Sequence, residues 1–283
     1  MHSHKKWYLL LSSLLFALMV MCIKMLSGKL PVYELLFFRF FGGMILCLLV
    51  DRTCYRFAEN SFNMLFLRGL YGTIAMFCFF YATNFIPISR LSALHFNYPL
   101  YEIIFSAIWI KEKPAKIIYL SLPVSLIGIF YITNPVAGFN FGDILGILSG
   151  ILGGLAIIGV RQARIKNSPP TIFFYFCVFG ILASGVPSFL KWVTPPASSL
   201  WLIFCVVLFG GVGQLIMNYA FKYSRVGEGT IITLITVVFI NILGFVFLKE
   251  QITFQLLFGE ALVIASILLI FLKKKEDKKI YLK

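Results

Sequence analysis

Acidic residues are scarce in this chain: Asp and Glu number 11 among 283 residues, and charged residues of all kinds make up 13%. A soluble domain carries about twice that charged share, so this sequence lacks the polar residues to cover a water-facing surface. Histidine is scarcer still, at three residues, and two of them (His2 and His4) stand at the extreme N-terminus. Only His95 lies in the body of the chain, which argues against an intramembrane group-transfer enzyme built on a His–Asp or paired-carboxylate cluster. No nucleotide-hydrolysing motif is present, and the GGVG run at Gly210, Gly211 and Gly213 has no strand or phosphate loop around it. The six cysteines (Cys22, Cys47, Cys54, Cys78, Cys177 and Cys205) show no metal-ligand spacing, and five fall in apolar stretches. Buried cysteine behaves as a small hydrophobe, so disulfides, metal and cofactor are all expected to be absent. The strict alternation that a lipid-facing β-barrel needs is missing too.

What the chain has in excess is hydrophobicity. Sixty per cent of its residues are apolar, 31 of them phenylalanine, and its mean hydropathy is +0.93. A helix crossing the hydrocarbon of a bilayer needs about 20 mainly apolar residues. Ten stretches meet that requirement: 7–26, 32–50, 62–84, 91–110, 116–133, 142–160, 171–190, 199–220, 230–247 and 252–272. The fold class that follows is an all-α membrane protein with ten transmembrane helices. The first stretch follows Lys5 and Lys6 as a leader would, but it lacks a small-x-small cleavage site and is read as the first span.

The net charge of +14 is distributed by side. With the N-terminus inside, eighteen Lys and Arg lie on inner segments, and the outer loops hold only Lys29, Arg90, Lys191 and Lys249. That positive-inside bias predicts a multi-pass protein of the inner (plasma) membrane with both termini cytoplasmic. The basic tail beyond Leu272 is expected to lie against anionic lipid headgroups, and nucleic acid is not an expected partner.

The chain also repeats itself. An offset of 138 residues lays FYATNFIPISRLSALHF, from Phe80, over NYAFKYSRVGEGTIITL, from Asn218, and brings Lys111-Glu112 onto Lys249-Glu250. An offset of 137 lays ELLFFRFFGGMIL, from Glu34, over TIFFYFCVFGIL, from Thr171. Five spans per half is an odd number, so the second half enters the membrane from the opposite face. Such inverted-topology repeats characterise secondary transporters. The expected units are 1–137 (helices 1–5), 138–275 (helices 6–10) and a basic tail, 276–283.

These residues resemble the EamA-type carriers of the drug/metabolite transporter superfamily. The likeness rests on ELLFFRFFGG, RGLYGTIAMFCFFYA and FIPISRLSALHFNYPLYEIIFSAIWIKEK in the first half. It continues with NYAFKYSRVGEGTIITLITVVFINILGFVFLKEQIT in the second. The resemblance implies a carrier with a central cavity formed by both halves. One departure is Val237, which stands where a second proline would align with Pro99.

Polar residues within the spans are candidates for lining that cavity. Lys24, Glu34 and Arg68 lie near span ends, where a side chain can snorkel to the interface. Arg39 and Glu102 sit deeper, on spans running in the same direction, and are expected to pair or to face a wet cavity. His95 and Glu102 are two helical turns apart, about 10 Å along the axis, with Tyr98 on the same face. The offset carries His95 to Thr233 and Tyr98 to Thr236. Pro99 frees the His95 carbonyl as an acceptor. Gln214, Asn218 and Tyr219 cluster in the eighth span, and Tyr81 is the counterpart of Tyr219. The candidate solute-binding set is therefore Arg39, Tyr81, His95, Tyr98, Glu102, Gln214, Asn218, Tyr219, Thr233 and Thr236, with Glu102 and His95 as candidates for proton coupling. Asn241 is a weaker candidate. Glu260 is assigned a structural or homodimer-contact role, and Gly146, Gly150 and Gly154 form a seam for close helix packing.

The function expected from this is secondary transport of a small organic metabolite by alternating access, the solute being an amino acid or a nucleotide-derived metabolite such as S-adenosylmethionine. The alternative carried with it is a lipid or lipid-linked sugar flippase of the same architecture. A structural subunit is a further rival. A zwitterionic or cationic solute suits a site holding Glu102, Arg39, aromatics and amides.

Overall fold

The computed structural model describes residues 7–111, 116–133, 138–221, 228–250 and 253–280, with the side chains of 110, 228 and 270–280 excepted. Lys5, Lys6, Lys113, Lys222, Arg225 and the side chains of the basic tail, which carry much of the expected inner charge, lie outside the described residues. Within them the chain is helical, without strands. The helices are α1 (Trp7–Leu26), α2 (Val32–Val50), α3 (Phe62–Ala82), α4 (Ile88–His95), α5 (Tyr98–Phe105), α6 (Ile118–Thr133), α7 (Phe141–Ala163), α8 (Pro169–Leu190), α9 (Ala197–Ala220), α10 (Glu228–Thr233), α11 (Ile235–Leu248) and α12 (Phe254–Ile280). A π-helical turn, Ser106–Ile110, continues α5. Seven spans are long and apolar enough to cross a membrane, the seventh running through α10 and α11 as Gly229–Leu248. Ile118–Thr133 and Phe254–Leu269 are shorter apolar helices. The interrupted rod from α4 through the π turn makes the tenth span.

Local chemistry explains the helix starts. Pro31, Pro87 and Pro196 precede α2, α4 and α9. Asn140 and Asp143 form a reciprocal capping box on α7, each side chain taking a backbone N–H of the other. Ser168 caps α8 just ahead of Pro169.

The packing has the symmetry of two inverted halves. α3 lies on α7, and its repeat partner α9 lies on α1. α3 also packs on α8, matched by α9 on α2, while α4–α5 packs on α7, matched by α10–α11 on α1. Two pairs are their own counterparts, α2 with α8 and α6 with α12, while α4 with α11 is answered by α10 with α5. Contacts at the α2–α8 crossing are reciprocal, as a twofold axis requires. Gly180 makes room for Phe40, and Gly43 makes room for Cys177; the 137-residue offset carries Phe40 to Cys177 and Gly43 to Gly180. Most of these contacts join one half to the other, so each half supplies the buried surface of its partner.

The fourth and ninth spans break at equivalent positions. α4 ends at His95 and α5 begins at Tyr98, while Leu234 separates α10 from α11; Phe96 lies 138 residues before Leu234. In the first half the cause is Pro99, which has no N–H and cannot bond the carbonyl one turn back. Val237 lacks that constraint, yet the second half breaks as well. Here Thr233 Oγ1 bonds the Thr230 carbonyl at 2.7 Å, a side-chain competitor for the helical ladder that favours bending. The symmetry extends to the far ends of these spans. Lys111 (φ 56°) and Lys249 (φ 55°) both adopt the left-handed conformation that non-glycine residues rarely enter. Glu112 lies outside the described residues. Its repeat equivalent Glu250 crosses to the other half and accepts the Ile88 backbone N–H at 3.2 Å, capping α4.

Candidate functional site

A central cavity opens between the two halves. Its empty space, with the open mouth counted in, is about 670 Å³. Repeat-equivalent residues line it from both sides. Under the 137-residue offset Phe16 pairs with Gly153, Val20 with Ile157 and Arg39 with Phe176. Under the 138-residue offset Met76 pairs with Gln214 and Phe79 with Met217. The cavity therefore sits on the pseudo-twofold axis.

Its polarity does not share that symmetry. Arg39, Arg68, His95 and Tyr98 come from the first half, whereas the second half adds only Gln214 from the eighth span. The equivalents of Arg39 and Arg68 are Phe176 and Val206. Both arginines are buried, at 3% and 6% exposure. The Arg68 guanidinium lies on the ring of Phe176, its Cζ 3.8 Å from the centroid, while Arg39 Cζ stands between the rings of Phe40 at 5.5 Å and Phe176 at 5.9 Å. Each also rests against one of two repeat-equivalent glycines, Arg68 on Gly72 and Arg39 on Gly210, where a side chain would displace it. Arg39 Nε meets the Met19 thioether at 3.3 Å, a weak acceptor. Arg39 Nη1 and Arg68 Nε make no hydrogen bond, and the ion pairs among the described residues include neither arginine.

Magnitudes show how unusual this is. A charge deep in a span costs at least about 2.5–3.5 kcal/mol, and the two like charges also repel. A cation–π contact returns about 0.5–2 kcal/mol, and only Arg68 has one at close range. The described residues leave this positive charge uncompensated.

The other candidates separate into three groups. His95 and Tyr98 line the cavity at the break in the fourth span. His95 Nδ1 contacts Ser149 Oγ on α7 at 2.9 Å. The Tyr98 hydroxyl is hydrogen-bonded to the Thr233 hydroxyl across the interface between halves. Thr236 is buried just beyond, and its hydroxyl makes no bond. A second group is buried close to the cavity but turned away from it. Asn218 takes the Gln214 amide N–H at 3.1 Å and lies 3.5 Å from the Pro169 carbonyl. The third group faces outward. Tyr81 is 41% exposed, and Tyr219 is 39% exposed with its ring edge-on to Tyr8.

Glu102 requires a correction. It does not pair with Arg39. Arg161 Nη1 lies 3.2 Å from Glu102 Oε1, and the Thr230 hydroxyl donates to Oε2 at 2.6 Å. The reason is helix adjacency: α5 packs on α7, whereas α2 packs on α8, α9 and α3. Arg161 stands in the last turn of α7, which runs past residue 160, where the apolar stretch was expected to end. Three contacts fasten the fourth span to α7 along its length: Arg90 with Asp143 at 2.7 Å, His95 with Ser149, and Glu102 with Arg161. The Gly146–Gly150–Gly154 seam allows this closeness. A methyl at Gly150 would stand 2.8 Å from the Leu94 carbonyl oxygen and 3.2 Å from that of His95. The carbonyls at the break thus face α7 and not the cavity.

Arg68 is the second correction. It does not snorkel to the interface but turns into the cavity. Lys24 and Glu34, in contrast, tie down helix ends: Lys24 Nζ donates to the Thr83 carbonyl at 2.6 Å, and Glu34 accepts the Val193 backbone N–H. Asn241 is buried beside Glu260 of α12, and neither lines the cavity.

Ten spans in two interlocked inverted halves, with a cavity on the axis between them, define a multi-pass carrier. The model of the EamA-like transporter family matches this chain twice, over residues 6–134 and 140–272. The chain belongs to that family. It is similar to the pseudopaline exporter CntI of Pseudomonas aeruginosa, 26% identical over 94% of this chain and 95% of the relative. Human solute carrier family 35 member G1 is 25% identical over 92% of this chain and 76% of its own length. The S-adenosylmethionine uptake transporter of Rickettsia conorii is 25% identical over 73% of this chain and 70% of its own. A solved crystal structure superposes with a TM-score of 0.75 over 97% of this chain and 98% of the other, at 16% identity, and shows the shared fold.

Proposed function

We propose that this chain is a secondary transporter that carries a small organic metabolite through the axial cavity by alternating access. Arg39, His95, Tyr98 and Gln214 contact the solute, and Thr233 and Thr236 support that face from the ninth span. The observation that carries this reading is the cavity lined by repeat-equivalent residues. Two similar halves can exchange conformations, so one site on their axis opens to each face in turn. The solute proposed is an amino acid or a nucleotide-derived metabolite, and the names of the exporter and uptake relatives support small metabolites as the class. The partners proposed are that solute and the surrounding lipid, with both termini cytoplasmic in the inner membrane. Exchange of solutes is the favoured driving force. Glu102, already engaged by Arg161 and Thr230, serves better as a tie between the fourth and sixth spans than as a proton carrier.

The test uses the full chain reconstituted in liposomes and preloaded with unlabelled solute. Labelled amino acids (acidic ones included), nucleotides, glycerol 3-phosphate, citrate and S-adenosylmethionine are then offered outside. Saturable, counterflow-stimulated uptake is expected, and Gly153→Trp, which fills the cavity beside Tyr98 and His95, should abolish it. Uptake equal to that of protein-free liposomes for every solute, or unchanged in Gly153→Trp, would overturn the reading. Movement of labelled lipid in place of solute would support the flippase instead.

A further inference from the structure

We infer that the cavity is selective for organic anions, and that Arg39 and Arg68 together hold a carboxylate or phosphate group of the solute against the Phe176 ring. This inference rests on the transport reading and names the chemistry of its solute. Three observations converge on it. Both guanidiniums are almost fully buried and line the cavity. Each keeps a buried N–H with no acceptor, at Arg39 Nη1 and Arg68 Nε. Among the described residues no acidic side chain lines the cavity, and the two ion pairs seen engage Arg90 and Arg161.

Buried charges persist where something neutralises them. The acidic group best placed in the sequence, Glu102, is engaged elsewhere, by Arg161 and Thr230. That leaves the counter-charge to the cargo. Guanidinium is the cation suited to this work, because its planar fork of donors matches the two oxygens of a carboxylate or phosphate. Gly72 and Gly210 clear space for the two groups, and the Phe176 ring lies under Arg68 and beside Arg39. The rest of the lining is apolar and aromatic, with Tyr98 and Gln214 left to meet a polar substituent on the body of the solute. A net cation would face two like charges with no carboxylate to offset them.

The proposal is tested by thermal unfolding of the purified full-length protein in a neutral detergent at constant ionic strength. Glutamate and citrate probe the carboxylate arm and glycerol 3-phosphate the phosphate arm, with lysine and S-adenosylmethionine as cationic controls. At least one anion should raise Tm saturably, and the cations should not. Arg39→Gln and Arg68→Gln should each weaken the apparent affinity for that anion at least tenfold. Arg39→Lys and Arg68→Lys, which keep the charge but lose the fork, should give intermediate losses. All four variants are scored only if monodisperse by size exclusion, and the wild-type ranking of anions over cations stands without them. Stabilisation by lysine or S-adenosylmethionine that survives both glutamine substitutions would overturn the anion assignment and leave the carrier reading intact. No Tm response to any of the three anions would also overturn it. A response to phosphatidylglycerol in mixed micelles, with none to soluble anions, would reassign the arginines to a lipid headgroup. Loss of counterflow for every solute would remove the transport reading itself.

Discussion

Tyr98 and Thr233 join hydroxyl to hydroxyl at the point where the broken fourth span meets the broken ninth span. Thr233 is the repeat equivalent of His95, and Thr236 that of Tyr98. The bond therefore links the same stretch of the two halves across the axis, beside the cavity. It is one of the few polar links placed where the halves must slide if the carrier changes state. Tyr98→Phe keeps the ring and removes the hydroxyl. A buried hydrogen bond is worth about 1 kcal/mol net, so a small fall in Tm is expected. Because Tyr98 also lines the cavity, counterflow should show both the maximal flux and the solute concentration giving half-maximal flux changed, the flux more; an unchanged maximal flux would remove this bond from the change of state.

The Glu102–Arg161 pair has a larger stake in stability. Removing one partner of a buried pair costs about 3–5 kcal/mol, whereas replacing both by apolar groups can be nearly neutral. Glu102→Gln and Arg161→Gln should each lower the unfolding temperature strongly, and Glu102→Leu with Arg161→Leu should recover much of the loss. If Glu102→Gln instead left stability unchanged and abolished pH-gradient-driven uptake, Glu102 would be the proton carrier.

The glycine seam on α7 is equally exposed to test. Gly150→Ala and Gly154→Ala would set a methyl 2.8 Å from the Leu94 oxygen and 2.9 Å from the Glu102 backbone nitrogen. Overpacking of this kind costs about 1–3 kcal/mol. Gly153→Ala, whose nearest neighbour is Tyr98 Cβ at 3.5 Å, should be tolerated. Equal thermal stability of all three variants would contradict the close packing of α4–α5 on α7.

Topology can be read from labelling of intact cells. The six native cysteines are buried, which keeps the background low. A membrane-impermeant maleimide should label Ser198→Cys, at the start of α9, and spare Arg52→Cys, beyond the end of α2. Labelling in the opposite sense would invert the membrane orientation.

Much of the architecture is legible in the residues because burial in lipid is written as length and apolarity. The 138-residue offset showed in Lys111-Glu112 and Lys249-Glu250, and both lysines prove to hold the same backbone conformation. The second break was harder to see: Val237 left open whether this half bends, and the bend comes with the Thr233 hydroxyl on the Thr230 carbonyl, a pairing with no unique signature in the sequence. The site was less legible than the fold. Depth along a span follows from counting residues, but the direction a side chain faces depends on which helices are neighbours. Tyr81 and Tyr219 are repeat equivalents and both face outward, since symmetry relates positions without saying which surface they occupy. Arg68 was placed near an interface by its depth, though its azimuth sends it to Phe176. A signal was available: the offset pairs Gly72 with Gly210, and small residues one turn from an arginine mark space cleared for it. Arg161 sat just past the expected end of its helix and so was counted with the loop.

The interlocking of the two halves bears on how the chain is made. Synthesis proceeds at about 5–20 residues per second, so the first five spans wait roughly ten seconds or more for the partners that cover them. During that interval Arg39 and Arg68 face neither Phe176 nor a closed cavity. Those two charges lack the Phe176 ring until α8 is made. A ribosome that stalls midway releases a fragment for the membrane proteases, not half a working carrier.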